Sequence, residues 1–277
     1  MKNVKRPIGF HVRLYKNLQD VIEATEQMNL EVVQSFLLNE SNNYVSLSDK
    51  VIHDFVHTKN KRNLLYYVHA AYWSSLTNPK SKMFVSLKKE VEIAQSLHSN
   101  GVVIHPGAAR KGLSPKDIIS YVAESVNELN QAYPQVPLLL ENGPHAGRNF
   151  GGDIEHFAYL LEHIEKKELV GFCIDTAHAF VYGYNIAQEK SRHKFLSLVE
   201  ELLGKNNIKL LHFNDSKDRC GSYIDKHETP GAGKIGKKAL QDIMNHTLFK
   251  DVPVIMECSK DCATDIDIIQ EISNWEQ

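Results

Sequence analysis

Eight short apolar runs punctuate the chain: Pro7–His11, Glu31–Leu37, Leu64–Val68, Val102–Ile104, Val136–Leu140, Val170–Ile174, Ile208–Leu211 and Val252–Met256. They are continuous rather than alternating, and rich in Val, Ile and Leu. That is the pattern of strands buried on both faces of a parallel sheet. The segments between them carry helical periodicity. In SLKKEVEIAQSLH, Leu87, Val91, Ala94 and Leu97 share one face while Lys88, Lys89 and Glu92 face water. LSPKDIISYVAESVNELNQAY opens with Ser114 as a cap and Pro115 at the first helical position, then sets Ile118, Val122, Val126 and Leu129 on one stripe. GDIEHFAYLLEHIEKKE and KFLSLVEELLG read the same way, the second stopping at Gly204.

Strand and helix alternate from end to end, with no linker, low-complexity stretch or charge block to mark a boundary. A chain of 277 residues fits one (β/α)8 barrel or two ordinary domains. The unbroken alternation predicts a single α/β TIM barrel over 1–277. An open doubly wound sheet is the alternative, and eight strands without a GxGxxG or phosphate-loop motif weigh against it.

The strand ends carry the chemistry. His69, His105, Glu141, Asp175, His212 and Glu257 each close an apolar run, and from 69 to 105, 141, 175, 212 and 257 the steps are 36, 36, 34, 37 and 45 residues. All strands of a βα barrel open their C-terminal ends onto one face, so these six residues are predicted to converge on one rim. A carboxylate directly after VPLLL (Glu141) or VPVIM (Glu257) would be poorly solvated unless paired or bound to a metal. His178 lies three residues after Asp175 in DTAH, and Asp225 and His227 stand at i,i+2 in the loop after the seventh strand. Nine nitrogen and oxygen donors with no thiolate favour zinc, manganese or iron. Nine is too many for one ion; two or three ions sharing a carboxylate suit phosphoester hydrolysis.

Four segments give this reading a family. IHPG (104–107), LEN (140–142), DTAHAFVYGY (175–184) and HFNDSKDRCGSYIDKHETPGAGKIG (212–236) resemble the endonuclease IV family of apurinic/apyrimidinic (AP) endonucleases, and the likeness runs from Pro7 to Cys258. The resemblance implies a TIM barrel with three zinc ions, Mn2+ or Fe2+ being possible at some sites. The enzyme would cleave DNA 5′ to an abasic site, leaving a 3′-hydroxyl and a 5′-deoxyribose phosphate, and could also trim blocked 3′ ends. His69, His105 and Glu141 would hold the first ion. Glu141 would bridge to a second, completed by Asp175, His212 and Glu257, and His178, Asp225 and His227 would hold the third. Glu141 and Glu257 are the implied catalytic carboxylates, with Glu257 orienting or deprotonating the attacking water.

The same likeness puts Tyr72 and Trp73 at the position of the family's wedge into DNA. An abasic site offers no base to stack, so a kinked duplex can receive such side chains in the gap. Arg110, Lys111, Arg148, Lys217 and Arg219 are the candidate phosphate contacts, all in loops predicted on the active face. The glycines of TPGAGKIG (Gly231, Gly233, Gly236) read as a tight loop that brings backbone close to metal or DNA before opening the last helix. Three segments depart from the family pattern: GFHVR in the first strand, LLNESNNY after the second and GPHAGRNFGG after LEN. They fall where substrate range and DNA affinity are set.

Two rivals share much of the pattern. A one-metal sugar isomerase or epimerase of the xylose-isomerase-like barrels needs a Glu, Asp, His, Glu set, which Glu141, Asp175, His212 and Glu257 supply. The five further donors discriminate against it. A metal-stabilised protein that binds damaged DNA without cutting it is the other. A net charge of −2 argues mildly against a general nucleic-acid binder, but three divalent ions would add about six positive charges on one face. Cys173, Cys220, Cys258 and Cys262 form no CxxC pair, so reduced thiols are expected, Cys173 in the core and Cys258 beside Glu257 as a small hydrophobe. No apolar run approaches bilayer length and no leader follows the basic start, so a monomeric cytoplasmic protein is expected.

Overall fold

A computed structural model of the chain describes residues 6–14, 17–39, 44, 47–147, 149–257 and 262–275. Its strands are β1 (Ile8–Leu14), β2 (Val32–Asn39), β3 (Leu65–His69), β4 (Gly101–Ile104), β5 (Leu138–Glu141), β6 (Val170–Asp175), β7 (Ile208–His212), β8 (Asp215–Ser216), β9 (His227–Glu228) and β10 (Val254–Met256). Eight of them close in the order β1-β10-β7-β6-β5-β4-β3-β2, every pairing parallel. β8 and β9 form a short antiparallel ribbon above β7. The eight apolar runs are the eight barrel strands.

Side-chain alternation along each strand builds two cores. Val32, Tyr67, Val103, Leu139, Cys173, Leu210 and Ile255 fill the barrel interior. Their neighbours, such as Phe10, Tyr66, Val68 and Phe172, point outward into a larger layer beneath the helices. Those helices are α1 (Gln19–Met28), α2 (Asp49–Lys61), α3 (Lys82–Ser96), α4 (Pro115–Ala132), α5 (Glu155–Leu161), α6 (Thr176–Tyr182), α7 (Glu189–Leu203), α8 (Lys237–Met244) and α9 (Cys262–Ser273). α3 buries the Leu87, Val91 and Ala94 face read from its periodicity, and Leu97 just beyond it is buried too. α4 begins with the expected Ser114 cap, closed reciprocally by Asp117.

α5 is shorter than its periodicity predicts. It ends at Leu161 because Asn127 of α4 captures the next turn, donating to the His163 carbonyl (3.1 Å) and accepting from the Glu165 N–H (3.0 Å). The chain then turns inward and buries Ile164.

Barrel closure depends on Gly9. β1 lies between β10 and β2, and a Cβ at Gly9 would sit 1.8 Å from the Val32 carbonyl oxygen. Gly9→Ala therefore forces β1 and β2 apart. The expected cost is about 3 kcal/mol, the upper range for overpacking, or roughly 5 °C in Tm for a chain of this size. Thermal denaturation checks this; a Tm within 1 °C of wild type would contradict so close an approach.

Candidate metal centre

The barrel brings all nine predicted ligands to the C-terminal rim. His69, Glu141, Asp175 and His212 are the last residues of β3, β5, β6 and β7, and His105 and Glu257 follow β4 and β10 directly. Asp175 also caps α6, accepting from the His178 N–H at 2.7 Å, which turns His178 back over the rim. Asp225 and His227 arrive from the ribbon.

Glu141 joins the group. Its Oε2 lies 3.3 Å from His69 Nε2 and 3.0 Å from His105 Nε2, while Oε1 lies 2.8 Å from His212 Nδ1. Glu257 Oε2 approaches His212 Nδ1 at 3.3 Å and His227 Nδ1 at 3.7 Å. Asp225 lies between His178 Nε2 (3.2 Å) and His227 Nε2 (3.1 Å), with Asp175 Oδ2 3.7 Å from the latter. Five overlapping donor groups lie within metal-binding distance, among them His69, His105 and Glu141; Glu141, Asp175, His212 and Glu257; and Asp175, His178 and His227, the last with Asp175 where Asp225 was expected.

Hydrogen bonds behind the rim settle which nitrogens point inward. His69 Nδ1 faces the Ala70 carbonyl (2.8 Å) and His178 Nδ1 the Asn142 carbonyl (2.9 Å). A carbonyl only accepts, so both Nδ1 atoms carry hydrogen and both Nε2 atoms face the cluster. His212 is oriented the other way. The Gln34 amide nitrogen donates to Glu257 Oε1 (3.0 Å), which turns its oxygen to His212 Nε2 (2.9 Å) and leaves Nδ1 inward. Buried Glu141 Oε2 and His227 Nε2 have no hydrogen-bond partner. Ring nitrogens and carboxylate oxygens thus converge on one another, two of them with no hydrogen-bond partner, a donor set that fits cations in place of protons.

Without a cation, protons balance the cluster. Burial opposes charge on His178, yet Asp175, Asp225 and Glu141 hold its pKa well above the ordinary value. His212 is raised in the same way by Cys173, Glu257 and Glu141 against burial. Burial works to raise Glu141 and Glu257, but the histidines around them hold both well below the carboxylate range. Asp175 is the exception, pushed up by burial and by Glu141 and Glu257. Cys173 comes within ligand distance of Glu141 and His212, but burial lifts its thiol to about 12, so it is a core thiol as its apolar setting predicted.

Several supporting residues were not anticipated. Asn142 accepts the Asp175 N–H (2.7 Å) and donates to the Asp175 carbonyl. Asn214 donates to Asp175 Oδ2 (2.7 Å) and Glu257 Oε2 (3.2 Å) and accepts the Glu257 N–H (2.9 Å). His11 lies 3.5 Å from Glu257 Oε1. For His11 and Gln34 the available signal was a polar residue on the inner face of an apolar run; for Asn142 and Asn214, proximity to a strand-end ligand. Asp215 corrects the reading of the glycine loop. Its carboxylate accepts the N–H groups of Gly231, Gly233, Ile235 and Gly236 at 2.8–3.1 Å, so the loop wraps this side chain. A Cβ at Gly233 would fall 2.5 Å from Asp215 Oδ1. The helix this loop opens is α8, and α9 is the last.

Tyr72 stands over the rim, 74 % exposed, its ring packed edge-on against Phe36. Trp73 is 42 % exposed and lies against α3, its Nε1–H donating to Ser86 Oγ at 3.4 Å. Glu90 pins this turn: fully buried, it accepts from the Ala71 N–H and the Ser74 hydroxyl, both at 2.8 Å, and burial raises it to about 7. Arg110 and Lys111 are exposed beside Lys80, and Lys217 and Arg219 are exposed along the ribbon. Arg148 and Cys258 lie outside the described residues.

Comparison with known proteins supplies the family. Residues 22–276 match the model of the xylose isomerase-like TIM barrel family. A "probable endonuclease 4" of Campylobacter concisus is 32 % identical over 193 residues, 68 % of each chain. The chain belongs to the endonuclease IV family. An "apurinic-apyrimidinic endonuclease" of Caenorhabditis elegans is 27 % identical over 90 % of this chain and 65 % of its own length. The barrel superposes on the crystal structure of endonuclease IV from Thermus thermophilus with a TM-score of 0.83, at 24 % identity, covering 97 % of this chain and 98 % of that one. Endonuclease IV proteins depend on metal, and the rim of this member carries the donor clusters for it.

Proposed function

We propose that this endonuclease IV family member is a DNA-repair AP endonuclease. It hydrolyses the phosphodiester 5′ to an abasic site and leaves a 3′-hydroxyl and a 5′-deoxyribose phosphate. The observation that carries the reading is the convergence of nine nitrogen- and oxygen-bearing side chains on one rim, with Glu141 and Asp175 each shared between donor groups. His69, His105 and Glu141 would hold one zinc ion, Glu141, Asp175, His212 and Glu257 a second, and His178, Asp225 and His227 a third. Bound together, such ions acidify the attacking water and neutralise the phosphoryl and leaving oxygens.

The chain's own residues do the rest. Glu257 stays ionised among its histidines, ready to take the proton of the attacking water. Gln34, His11 and Asn214 fix its two oxygens, so the acceptor is oriented before substrate arrives. Tyr72 and Trp73 fill the gap at the lesion, and Arg110, Lys111, Lys217 and Arg219 contact phosphates. The partner is double-stranded DNA with abasic or blocked 3′ lesions; the chain acts as one monomeric catalytic domain in the cytoplasm.

The isomerase reading has one observation in its favour. Glu141, Asp175, His212 and Glu257 form a complete four-ligand set by themselves. A one-metal isomerase, however, has no use for His69, His105, His178, Asp225 and His227 in the same cluster. Incubation with a duplex holding one abasic analogue, with and without prolonged chelation, separates the readings when paired with elemental analysis. The expected result is 5′ incision, lost on chelation, with about three metals per chain. No incision and about one metal would favour the isomerase; three metals with binding but no incision would favour a damage-recognition protein.

A further inference from the structure

Eight large apolar side chains are prominently exposed among the described residues, and four of them lie on outer helix faces: Met83, Val85, Tyr121 and Tyr159. The other four flank candidate ligands at the rim. Tyr72 and Trp73 follow His69, while Tyr223 and Ile224, each 46 % exposed, immediately precede Asp225. The first pair rises after β3 and the second after β7. In the closed order β1-β10-β7-β6-β5-β4-β3-β2 these strands are four steps apart in either direction. Contacts with His145 after β5 and with α6 after β6 set the second pair on that side of the rim.

Tyr223 is held in an unusual way. Its φ is +57°, a left-handed backbone that a bulky residue adopts only at a cost of about 1 kcal/mol or more. Three contacts hold it there. Its N–H donates to the Val181 carbonyl (3.0 Å), its carbonyl accepts from His145 Nδ1 (3.0 Å), and its ring meets Tyr182 edge-on at 6.1 Å. Val181 and Tyr182 belong to α6, the helix that carries His178, so the aromatic ring is registered to the donor cluster itself.

We infer that Tyr223 and Ile224 form a second apolar wall of the DNA site, which packs against an unstacked nucleobase flanking the lesion. The inference rests on the AP endonuclease reading. Ile224 offers nothing to a phosphate and Tyr223 only its hydroxyl, which Tyr223→Phe removes while keeping the ring. Every nucleobase, by contrast, has an apolar face that an aromatic ring can cover. With Tyr72 and Trp73 filling the gap, a base next to the abasic sugar is unstacked, and the second wall receives it.

The test is a pair of dissociation constants for the zinc-loaded protein. One is for a duplex with an abasic analogue, 2-aminopurine beside it and a methylphosphonate at the scissile linkage; the other is for the intact duplex of the same sequence. Tyr223→Asn removes the ring while tolerating the left-handed backbone. Its affinity for the abasic duplex should fall about tenfold, the lower-middle range for loss of one base–aromatic stack. Affinity for intact duplex should stay within twofold, with metal content unchanged. Tyr223→Phe should restore both the affinity and the 2-aminopurine quenching that Tyr223→Asn loses. Ile224→Ala, at an exposed side chain, should weaken abasic binding in the same direction. The wall is overturned if Tyr223→Asn and Ile224→Ala both bind abasic duplex within twofold of wild type, or lose intact and abasic duplex equally. A wild-type protein without preference for the abasic duplex would instead remove the AP endonuclease reading and the wall with it.

Discussion

Replacing Glu141 with glutamine is expected to lower incision of an abasic duplex by about 10^4-fold, from roughly 5–6 kcal/mol of lost transition-state stabilisation at 1.36 kcal/mol per tenfold. The side chain keeps its volume, so the barrel beneath should be undisturbed. What changes is that one oxygen becomes an NH2. In the native protein Oε2 faces Nε2 of His69 and approaches His105 Nε2, while Oε1 faces His212 Nδ1. An amide can serve one of these sides but must present hydrogens to the other. Metal content should therefore fall from about three to one or two per chain, which elemental analysis reads directly. A variant with full metal content and incision within tenfold of wild type would show that Glu141 links nothing.

The asymmetry between what the sequence displays and what it hides has a physical origin. The barrel was legible because strands buried on both faces must be apolar throughout, and eight such runs at βα spacing have few other ways to fold. Six of the donors were legible because each is a polar residue at the boundary of an apolar run, where burial demands a reason. His178, Asp225 and His227 were read from their spacing and from the family resemblance. Gln34, His11, Asn142 and Asn214 were hidden because their partners lie far along the chain. Gln34 reaches His212 across 178 positions and Asn214 reaches Glu257 across 43, distances at which periodicity carries no information. Asp215 was hidden for another reason. Glycines so close together suggest a ligand for their N–H groups, and nothing in TPGAGKIG announces that the ligand is a side chain of the same protein. Glu90 resembles any helix glutamate; only the fold reveals that it faces inward and fastens the turn bearing Tyr72 and Trp73.

Metal removal should also destabilise the protein, and by more as the pH rises. If free metal stands about 100-fold above each dissociation constant, three sites contribute roughly 2.7 kcal/mol each, about 8 kcal/mol together. For 277 residues the unfolding entropy is roughly 0.6 kcal/mol per kelvin, so chelation should lower Tm by about 14 °C. The pH dependence follows from the protons that stand in for the ions. His178 and His212 have folded-state pKa values raised above the ordinary 6.5. Their stabilisation of the metal-free fold is fully present below pH 6.5 and is lost as pH rises through the raised values. Metal binding must displace those same protons, so it is weakest where they are held and strengthens as they leave. The difference in Tm between loaded and chelated protein should thus be smaller at pH 6 than at pH 8.5. Scanning calorimetry at the two pH values measures it. A gap that stayed constant or narrowed with rising pH would mean that the protonated histidines and the ions do not compete for the same lone pairs.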